Sequence, residues 1–252
     1  MTPLADTSAI PRAGARVALF ARSPEPGFVK TRLIPALGSE GAAELYRGML
    51  ADAVRALEGA AAEQRVLYLH EPDRDGGGAP CAQPFAWRDI AGVQVREQRG
   101  AGLGERLSAA FAELLNTQQA AGPDPAVGTR AVVFGADCPA LDSATLDRAL
   151  ADLDRHDLVL GPAADGGYVL IGLGRPSPSL FEGVPWGTDR VLESTLERAR
   201  EAGLTTHMMP ALADVDTAGD VVELLESWAR GRELGPETHA ALRALGLAPP
   251  RS

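Results

Sequence analysis

Two closely spaced cations stand in a loop near the start of the chain. Lys30 is the only lysine among the 24 basic residues, and Arg32 follows two positions later. An ammonium group contacts phosphate as a point charge, whereas a guanidinium binds it through a planar fork of N–H groups. Pro24, Pro26 and Gly27 fix the path of the loop and allow its backbone to approach a ligand closely. The segment predicts a site for a diphosphate or triphosphate, the alternative being a surface turn with solvated charges.

Carboxylates stand at two places further along the chain. One follows an apolar run, and the others precede a helical pattern. Asp137 comes directly after an apolar run, where a carboxylate can hold Mg²⁺ or Mn²⁺. Asp214 and Asp216 alternate in an extended segment, so they point the same way and one of them could complete that metal site. The alternatives are that Asp137 caps a turn and that Thr217 and Asp220 form a capping box.

A glycine pair lies between two apolar runs later in the chain. Asp165, Gly166 and Gly167 stand there, directly before Tyr168. Paired glycines are typical of a hairpin turn, but they also let a ligand lie against the backbone. In the second case Asp165 would bind the acceptor or serve as a general base. Trp186 could form the wall of an acceptor pocket or lie in the core.

Glycines also open a predicted helix in the middle of the chain. Gly102 and Gly104 precede Arg106 in this segment. The N-terminus of a helix attracts anionic groups, and glycine permits close approach of its backbone. The segment is therefore a candidate for contact with a nucleotide, although a Gly-x-Gly pattern by itself is a weak indication.

Apolar runs alternate with helical patterns along the chain. The predicted strands cover residues 16–21, 65–70, 93–97, 130–135, 157–161, 168–173 and 206–209. The predicted helices cover residues 39–58, with Ser39 as the N-cap, and residues 103–115, 143–153, 189–202, 218–230 and 236–245. This alternation indicates an α/β fold with right-handed crossovers and a largely parallel sheet. Ligands of such sheets bind beyond the carboxyl ends of the strands, where the loops described above fall.

Length and composition favour one domain. The chain has 252 residues, of which 45% are hydrophobic and 23% charged, so it can bury a substantial core. No internal repeat or domain-sized linker divides it. We therefore expect a flexible N-terminal segment over residues 1–14 and one folded domain over residues 15–248, with residues 71–90 as a loop.

The charge and cysteine content exclude several classes of partner. A net charge of -10 at pH 7 disfavours binding to nucleic acid or to an anionic membrane, so a small-molecule ligand is expected. Cys81 and Cys138 have no zinc-ligand spacing, and the four histidines are scattered singly. With no signal-peptide or membrane-spanning pattern, we expect a cytosolic protein.

Taken in order, these motifs resemble those of a known family. The matching segments are residues 20–24, 27–33, 102–107, 135–139, 161–168, 185–188 and 214–217. They are similar to the bacterial transferases named for association with radical-SAM, selenodomain and arsenosugar gene clusters, from about residue 16 to about residue 225. That family resembles the nucleotide-diphospho-sugar transferase, or glycosyltransferase-A, fold. It is also akin to the guanylyltransferases of deazaflavin and molybdenum cofactor synthesis.

The resemblance implies a Rossmann-like sheet that is mixed but mostly parallel, with helices on both faces, and it assigns roles to individual residues. Asp137 and Asp216 would share the divalent Mg²⁺ or Mn²⁺ ion. Lys30 and Asp165 would be catalytic. The nucleotide- and phosphate-binding residues would be Arg22, Gly27, Lys30, Arg32, Gly102, Gly104 and Arg106. The acceptor-binding residues would be Asp165, Gly166, Gly167, Tyr168 and Trp186.

Two positions depart from the family pattern. Many members carry a lysine after the first strand, where this chain has Arg22, so Lys30 is left to supply the ammonium. The motif around Asp137 is not an Asp-x-Asp, so metal dependence follows from the resemblance and not from the motif itself.

These observations lead to a hypothesis of a cytosolic, metal-dependent glycosyltransferase. It would pass a sugar from a nucleoside diphosphate-sugar to a small-molecule acceptor. The metal and Lys30 would neutralise charge on the departing diphosphate, and Asp165 would orient or deprotonate the acceptor. Two alternatives stay open: a nucleotidyltransferase, guanylyltransferase-like, that releases pyrophosphate from a nucleoside triphosphate, and a catalytically silent nucleotide-binding domain.

Overall fold

One mixed sheet of seven strands organises the computed structural model, which describes residues 11–70, 90, 92–116 and 128–249. The strands are β1 (Arg12–Arg22), β2 (Ala62–His70), β3 (Val93–Glu97), β4 (Arg130–Gly135), β5 (Leu158–Pro162), β6 (Tyr168–Leu173) and β7 (Thr206–Met208). They lie in the order β3-β2-β1-β4-β6-β5-β7. Only the two pairs that include β6 are antiparallel. The predicted α/β fold with a mixed, mostly parallel sheet is confirmed.

Helices cover both faces of the sheet, as predicted. They are α1 (Ile34–Gly59), α2 (Leu103–Leu114), α3 (Ser143–Asp152), α4 (Val191–Glu201), α5 (Ala218–Ala229) and α6 (Pro236–Ala244). Side chains alternate along β1, so that Val17 and Leu19 enter one apolar core and Ala18 the other. Residues of α1, α3, α5 and α6 complete the first core, and residues of α2 and α4 complete the second.

The first strand and the first helix both begin earlier than the sequence predicts. β1 starts at Arg12, whose N–H donates to the Ala61 carbonyl over 3.0 Å, so residues 12–14 are part of the sheet. α1 contains a break at Gly38 (φ 72, ψ 168), a conformation that favours glycine, and Ser39 starts its second, longer piece. Residues 1–10 of the predicted segment 1–14 and residues 71–89 of the predicted loop 71–90 lie outside the described residues.

β6 runs antiparallel to β5 because a short loop connects the two strands. β5 and β6 are joined by residues 163–167, here called the hairpin loop, with Pro162 paired to Tyr168. The hairpin interpretation of the glycine pair is therefore confirmed. Because β6 runs backwards, its first residue meets the carboxyl ends of β1, β4 and β5 at one edge of the sheet.

No helix within the described ranges combines the length and the apolar character needed to cross a bilayer. The predicted cytosolic location stays a prediction.

Candidate active site

A cavity of about 910 Å³ opens at the edge of the sheet where β1, β4 and β5 end. Most of the residues that the sequence singles out line it. They are Arg22, Lys30, Arg32, Gly102, Arg106, Asp137, Asp165, Gly167, Tyr168, Trp186 and Asp216. The topology brings these side chains together from loops that are distant in sequence, as the rule for parallel sheets requires.

Four side chains form a charged cluster in this cavity: Lys30, Arg32, Asp137 and Asp216. The Lys30 ammonium lies 2.6 Å from Asp137 Oδ1 and 3.7 Å from Asp216 Oδ1. Arg32 Nη1 donates to Asp216 Oδ2 over 2.8 Å. The Lys30 side chain is 4% exposed, against 51% for Asp137 and 39% for Asp216, so a nearly buried cation faces two half-open carboxylates.

The backbone of Lys30 holds its side chain in this position. Lys30 has φ 47 and ψ 43, and it is the only residue besides glycine with a positive φ in the part of the chain that the structure describes. Left-handed backbone costs a non-glycine residue about 1–2 kcal/mol, and such strain tends to concentrate at functional sites. The Lys30 carbonyl then accepts the Leu33 N–H over 2.8 Å and starts the 3-10 turn Thr31–Leu33.

Backbone contacts bring the two carboxylates of the cluster together. Asp137 follows β4, and its carbonyl accepts the Val215 N–H over 2.9 Å, which ties the Asp216 segment to the end of that strand. Asp220 accepts the N–H groups of Asp216 and Thr217 over 2.9 and 2.6 Å. The capping box of Thr217 and Asp220 is therefore present, and it orients the backbone of Asp216.

The donor set of the cluster fits a divalent cation that a ligand helps to hold. Asp137 and Asp216 both contact the same ammonium, at 2.6 and 3.7 Å, so two carboxylates flank one point in the cavity. The described ranges contain no group of three or more His, Cys, Asp or Glu residues with the geometry of a complete metal site. Mg²⁺ in phosphate-transfer sites commonly takes one or two carboxylates and completes its shell with water and substrate phosphates.

Burial raises the pKa of one neighbour of each carboxylate, Cys138 beside Asp137 and Asp214 close to Asp216. Burial raises the pKa of the Cys138 thiol to about 11, so this residue packs as a neutral side chain. Asp214 also lines the cavity, and burial, followed by the charge of Asp165, raises the pKa of its carboxyl group. The acidic part of the cavity thus extends from the charged cluster towards the hairpin loop.

The hairpin loop presents an exposed carboxylate on a constrained turn. Asp165 Oδ1 accepts the Gly167 N–H over 2.9 Å. Gly166 has φ +87, and an added Cβ would lie 2.2 Å from the Asp189 carbonyl oxygen. The Gly166 carbonyl also accepts the Leu192 N–H over 2.9 Å, which docks the loop on the start of α4. Gly166 therefore supports the turn and does not line the cavity.

Two other predicted glycines also support the site without lining it. An added Cβ at Gly104 would lie 2.5 Å from Nε1 of Trp186, so this glycine makes room for the indole. Gly27 has φ +86 and nothing within 4 Å of an added Cβ, so it serves the turn before Lys30. The Trp186 ring meets the Tyr168 ring edge to face, with centroids 6.3 Å apart, and both rings line the cavity.

Sequence reasoning missed Tyr46 and Gln98, which also line the cavity. The Tyr46 hydroxyl accepts the Arg22 N–H over 2.9 Å, and burial, followed by the charge of Asp137, raises the pKa of its phenol. Gln98 Nε2 donates to the carbonyls of Ala21 and Tyr68 over 3.1 and 3.0 Å. Tyr46 fits the apolar face of a helix and Gln98 belongs to no motif, so no sequence signal pointed to either.

Comparison with known proteins identifies a family and a fold. Residues 53–188 match the family described as "Uncharacterized protein conserved in bacteria (DUF2064)". A candidate nucleotide-diphospho-sugar transferase from Desulfovibrio desulfuricans G20 is 32% identical, with a TM-score of 0.74, over 93% of this chain and 97% of that chain. No curated protein matches the sequence.

More distant solved structures are similar over most of the chain. A cytidylyltransferase from Leptospira borgpetersenii serovar Hardjo-bovis (strain JB197) is 13% identical, with a TM-score of 0.48, over 96% of this chain and 99% of that chain. Rv0371c from Mycobacterium tuberculosis H37Rv, in complex with manganese, is 19% identical, with a TM-score of 0.40, over 84% of this chain and 98% of that chain. Neither similarity bears on what this chain binds.

The predicted association with particular gene clusters stays a prediction. The match over residues 53–188 covers more than half of the chain, and the similarity to the Desulfovibrio protein extends over 93% of it. The chain therefore belongs to the DUF2064 family and has the nucleotide-diphospho-sugar transferase fold.

Proposed function

We propose that the chain transfers a glycosyl group from a nucleoside diphosphate-sugar to a small-molecule acceptor. The observation that carries the proposal is the Lys30 ammonium, 4% exposed, beside Asp137 and Asp216 in a large cavity. A nearly buried cation next to half-open carboxylates suits a ligand that brings both negative charge and a divalent cation. The similarity to a candidate nucleotide-diphospho-sugar transferase supports the same class of substrate.

Lys30 and Arg32 would stabilise the leaving group. Both contact Asp216, at 3.7 and 2.8 Å, so the two cations lie within reach of one diphosphate. Charge grows on the diphosphate as its bond to the sugar breaks, and cations already in place lower the energy of that state without a covalent intermediate. Arg22 and Arg106 line the same cavity and would add positive charge around the nucleotide.

Asp137 and Asp216 would hold Mg²⁺ or Mn²⁺ together with the phosphates of the bound nucleotide. When bound, such an ion supplies Lewis-acid stabilisation of negative charge on the phosphate oxygens. In its absence the Lys30 ammonium already neutralises part of the charge of both carboxylates. The pair is thus kept close together by this chain's own residues.

The N-terminus of α2 would border the nucleotide. Gly102 and Arg106 line the cavity, and an added Cβ at Gly102 would meet nothing within 4 Å, which leaves open space beside the helix start. Free N–H groups at such a start attract anionic groups. Gly27 and Gly104 would contribute only by shaping the backbone of these segments.

The hairpin loop would receive the acceptor. Asp165, Gly167, Tyr168 and Trp186 line the cavity there, with Gly166 behind them as support for the turn. Asp165 would orient or deprotonate an acceptor hydroxyl, since its carboxylate is exposed and fixed by the Gly167 N–H. The two aromatic rings would form an apolar wall beside it.

A panel of donors tests the proposal. The purified chain is incubated with nucleoside diphosphate-sugars of each base, Mg²⁺ or Mn²⁺ and a mixture of small acceptors, and free nucleoside diphosphate is measured. Its release, and the loss of that release in Asp137→Asn, is the expected result. Pyrophosphate released from a nucleoside triphosphate would instead identify a nucleotidyltransferase, and no turnover with any donor would favour a silent binding domain.

A further inference from the structure

The Tyr46 hydroxyl has a hydrogen-bond donor that the protein itself does not use. A phenolic O–H can accept one hydrogen bond and donate another. Its oxygen accepts the Arg22 N–H over 2.9 Å, but its proton meets no acceptor among the residues that the structure describes. Tyr46 is 4% exposed, so water can accept the phenolic proton only from the side of the cavity.

This unused donor belongs to the same cavity as the charged cluster. Tyr46 projects from α1 and lines the cavity together with Lys30 and Asp137. Burial, followed by the charge of Asp137, raises the pKa of the phenol, so the proton stays on the hydroxyl. Among the described residues no hydrogen bond joins the phenol to Asp137, whose Oδ1 is paired with Lys30 at 2.6 Å, so the phenolic proton is available for a ligand.

We propose that the Tyr46 hydroxyl donates a hydrogen bond to a phosphate oxygen of the bound diphosphate. This inference rests on the proposed function and adds an uncharged contact to the cations already assigned. The Arg22 N–H fixes the phenolic oxygen before the ligand arrives, so little side-chain freedom remains to be lost on binding. Hydrogen bonds to charged acceptors are also stronger than those between neutral groups.

Tyr68 provides a matched control. Its side chain is equally inaccessible, at 3% exposure, and burial also raises the pKa of its phenol. Its hydroxyl, however, already donates to Glu113 Oε2 over 2.9 Å, and Tyr68 does not line the cavity. Removing this hydroxyl changes a buried hydrogen bond without touching the charged cluster.

Calorimetric titration with inorganic pyrophosphate and Mg²⁺ tests the inference. We expect Tyr46→Phe to weaken pyrophosphate binding about tenfold, the loss typical of one hydrogen bond to a charged group. Tyr68→Phe is expected to keep the affinity of the wild type within about twofold. Equal affinity of Tyr46→Phe and wild type, or an equal loss in both variants, would overturn the inference.

Fluorine NMR provides a second test that leaves the tyrosines in place. The chain has three tyrosines, so 3-fluorotyrosine labelling of the wild type gives three signals, assigned with Tyr68→Phe and Tyr168→Phe. The Tyr46 signal is expected to shift when pyrophosphate and Mg²⁺ are added, while the Tyr68 signal stays in place. Saturating pyrophosphate without a shift at Tyr46 would contradict the inference even if Tyr46→Phe fails to fold.

The outcomes separate this inference from the proposed function. If the wild type binds pyrophosphate and Tyr46→Phe binds it equally well, only the role of Tyr46 is lost. If the wild type does not bind pyrophosphate at all, the diphosphate site is wrong and the inference falls with it.

Discussion

The charged cluster and the hairpin loop line the same cavity, but side-chain ion pairs hold the cluster in place, whereas backbone packing holds the loop. In the cluster, side chains from three distant segments attract one another, and the central ammonium is 4% exposed on a strained backbone. In the hairpin loop, Asp165 is exposed and the backbone is fixed by close packing of Gly166 on Asp189. The difference indicates that substitutions in the cluster act on ligand binding, whereas substitutions in the loop act first on stability.

The strongest test of this comparison removes the buried cation. Lys30→Gln is expected to lower turnover of the donor roughly 10²–10³-fold, the usual loss when a preorganised electrostatic contact to developing charge is removed. Arg32→Gln is the matched variant, and its side chain is 70% exposed, so a much smaller loss is expected. Steady-state kinetics on both variants measures the difference. Equal losses would mean that burial of Lys30 does not matter.

Stability of the hairpin loop is tested by two glycines with nearly the same φ. Gly166→Ala forces a Cβ to within 2.2 Å of the Asp189 carbonyl oxygen at φ +87, whereas Gly27→Ala meets nothing within 4 Å at φ +86. We expect Gly27→Ala to cost about 1–2 kcal/mol for the backbone alone and Gly166→Ala to cost more. Denaturant unfolding compares the two. A smaller loss in Gly166→Ala would show that packing on Asp189 does not hold the loop.

A second pair of glycines tests how α2 meets the aromatic wall. An added Cβ at Gly104 would lie 2.5 Å from Trp186 Nε1, whereas the Cβ of Gly102→Ala enters open space. Gly104→Ala is therefore expected to displace the indole, to change its fluorescence and to weaken acceptor binding. Gly102→Ala should leave the fluorescence unchanged. An unchanged spectrum in Gly104→Ala would mean that the helix start, and not the indole, gives way.

The smallest expected effect concerns the other end of β5. Asp157 precedes this strand, and hydrogen bonds from the Thr205 N–H and hydroxyl, with a further one from Arg175, hold the pKa of its carboxyl group below the ordinary value. A lowered folded-state pKa stabilises the protein above the unfolded-state pKa of about 3.9, and this stability is lost as the pH falls through the folded-state pKa.

Asp157→Asn is accordingly expected to unfold at lower denaturant concentration than the wild type at pH 7. The two midpoints should approach each other as the pH falls below about 4 and through the folded-state pKa, because the wild-type carboxyl group then also becomes neutral. Unfolding curves at pH 7 and pH 3 measure this change. A difference that is the same at both pH values would mean that charge on Asp157 contributes nothing.

Much of the fold and part of the site follow from local sequence patterns. The strand over residues 130–135 has an apolar run at residues 131–134, so its place and the position of Asp137 beyond its carboxyl end could be predicted. The rule for parallel sheets then brings Asp137 towards the loop of Lys30, which the salt bridge of 2.6 Å confirms. The two glycines at the start of α2 have different roles, since Gly102 lines the cavity and Gly104 makes room for the indole. This difference could not be foreseen, because it depends on a tryptophan more than eighty positions away.

Other features of the site depend on tertiary contacts that leave no local pattern. Tyr46 has helical spacing like its apolar neighbours, and only the approach of α1 to the end of β1 shows that its hydroxyl meets the Arg22 N–H. The left-handed backbone of Lys30 is equally hidden, since lysine has no preference for it. The early start of β1 at Arg12 results from pairing with the Ala61 carbonyl, a partner that the sequence around Arg12 does not indicate.

The most direct test of the charged cluster is a crystal structure of the chain with a nucleoside diphosphate and Mn²⁺. We expect a diphosphate oxygen about 3 Å from Lys30 Nζ. We also expect an anomalous peak for Mn²⁺ between Asp137 and Asp216. A nucleoside diphosphate bound away from Lys30, with both carboxylates still paired to its ammonium, would contradict the account.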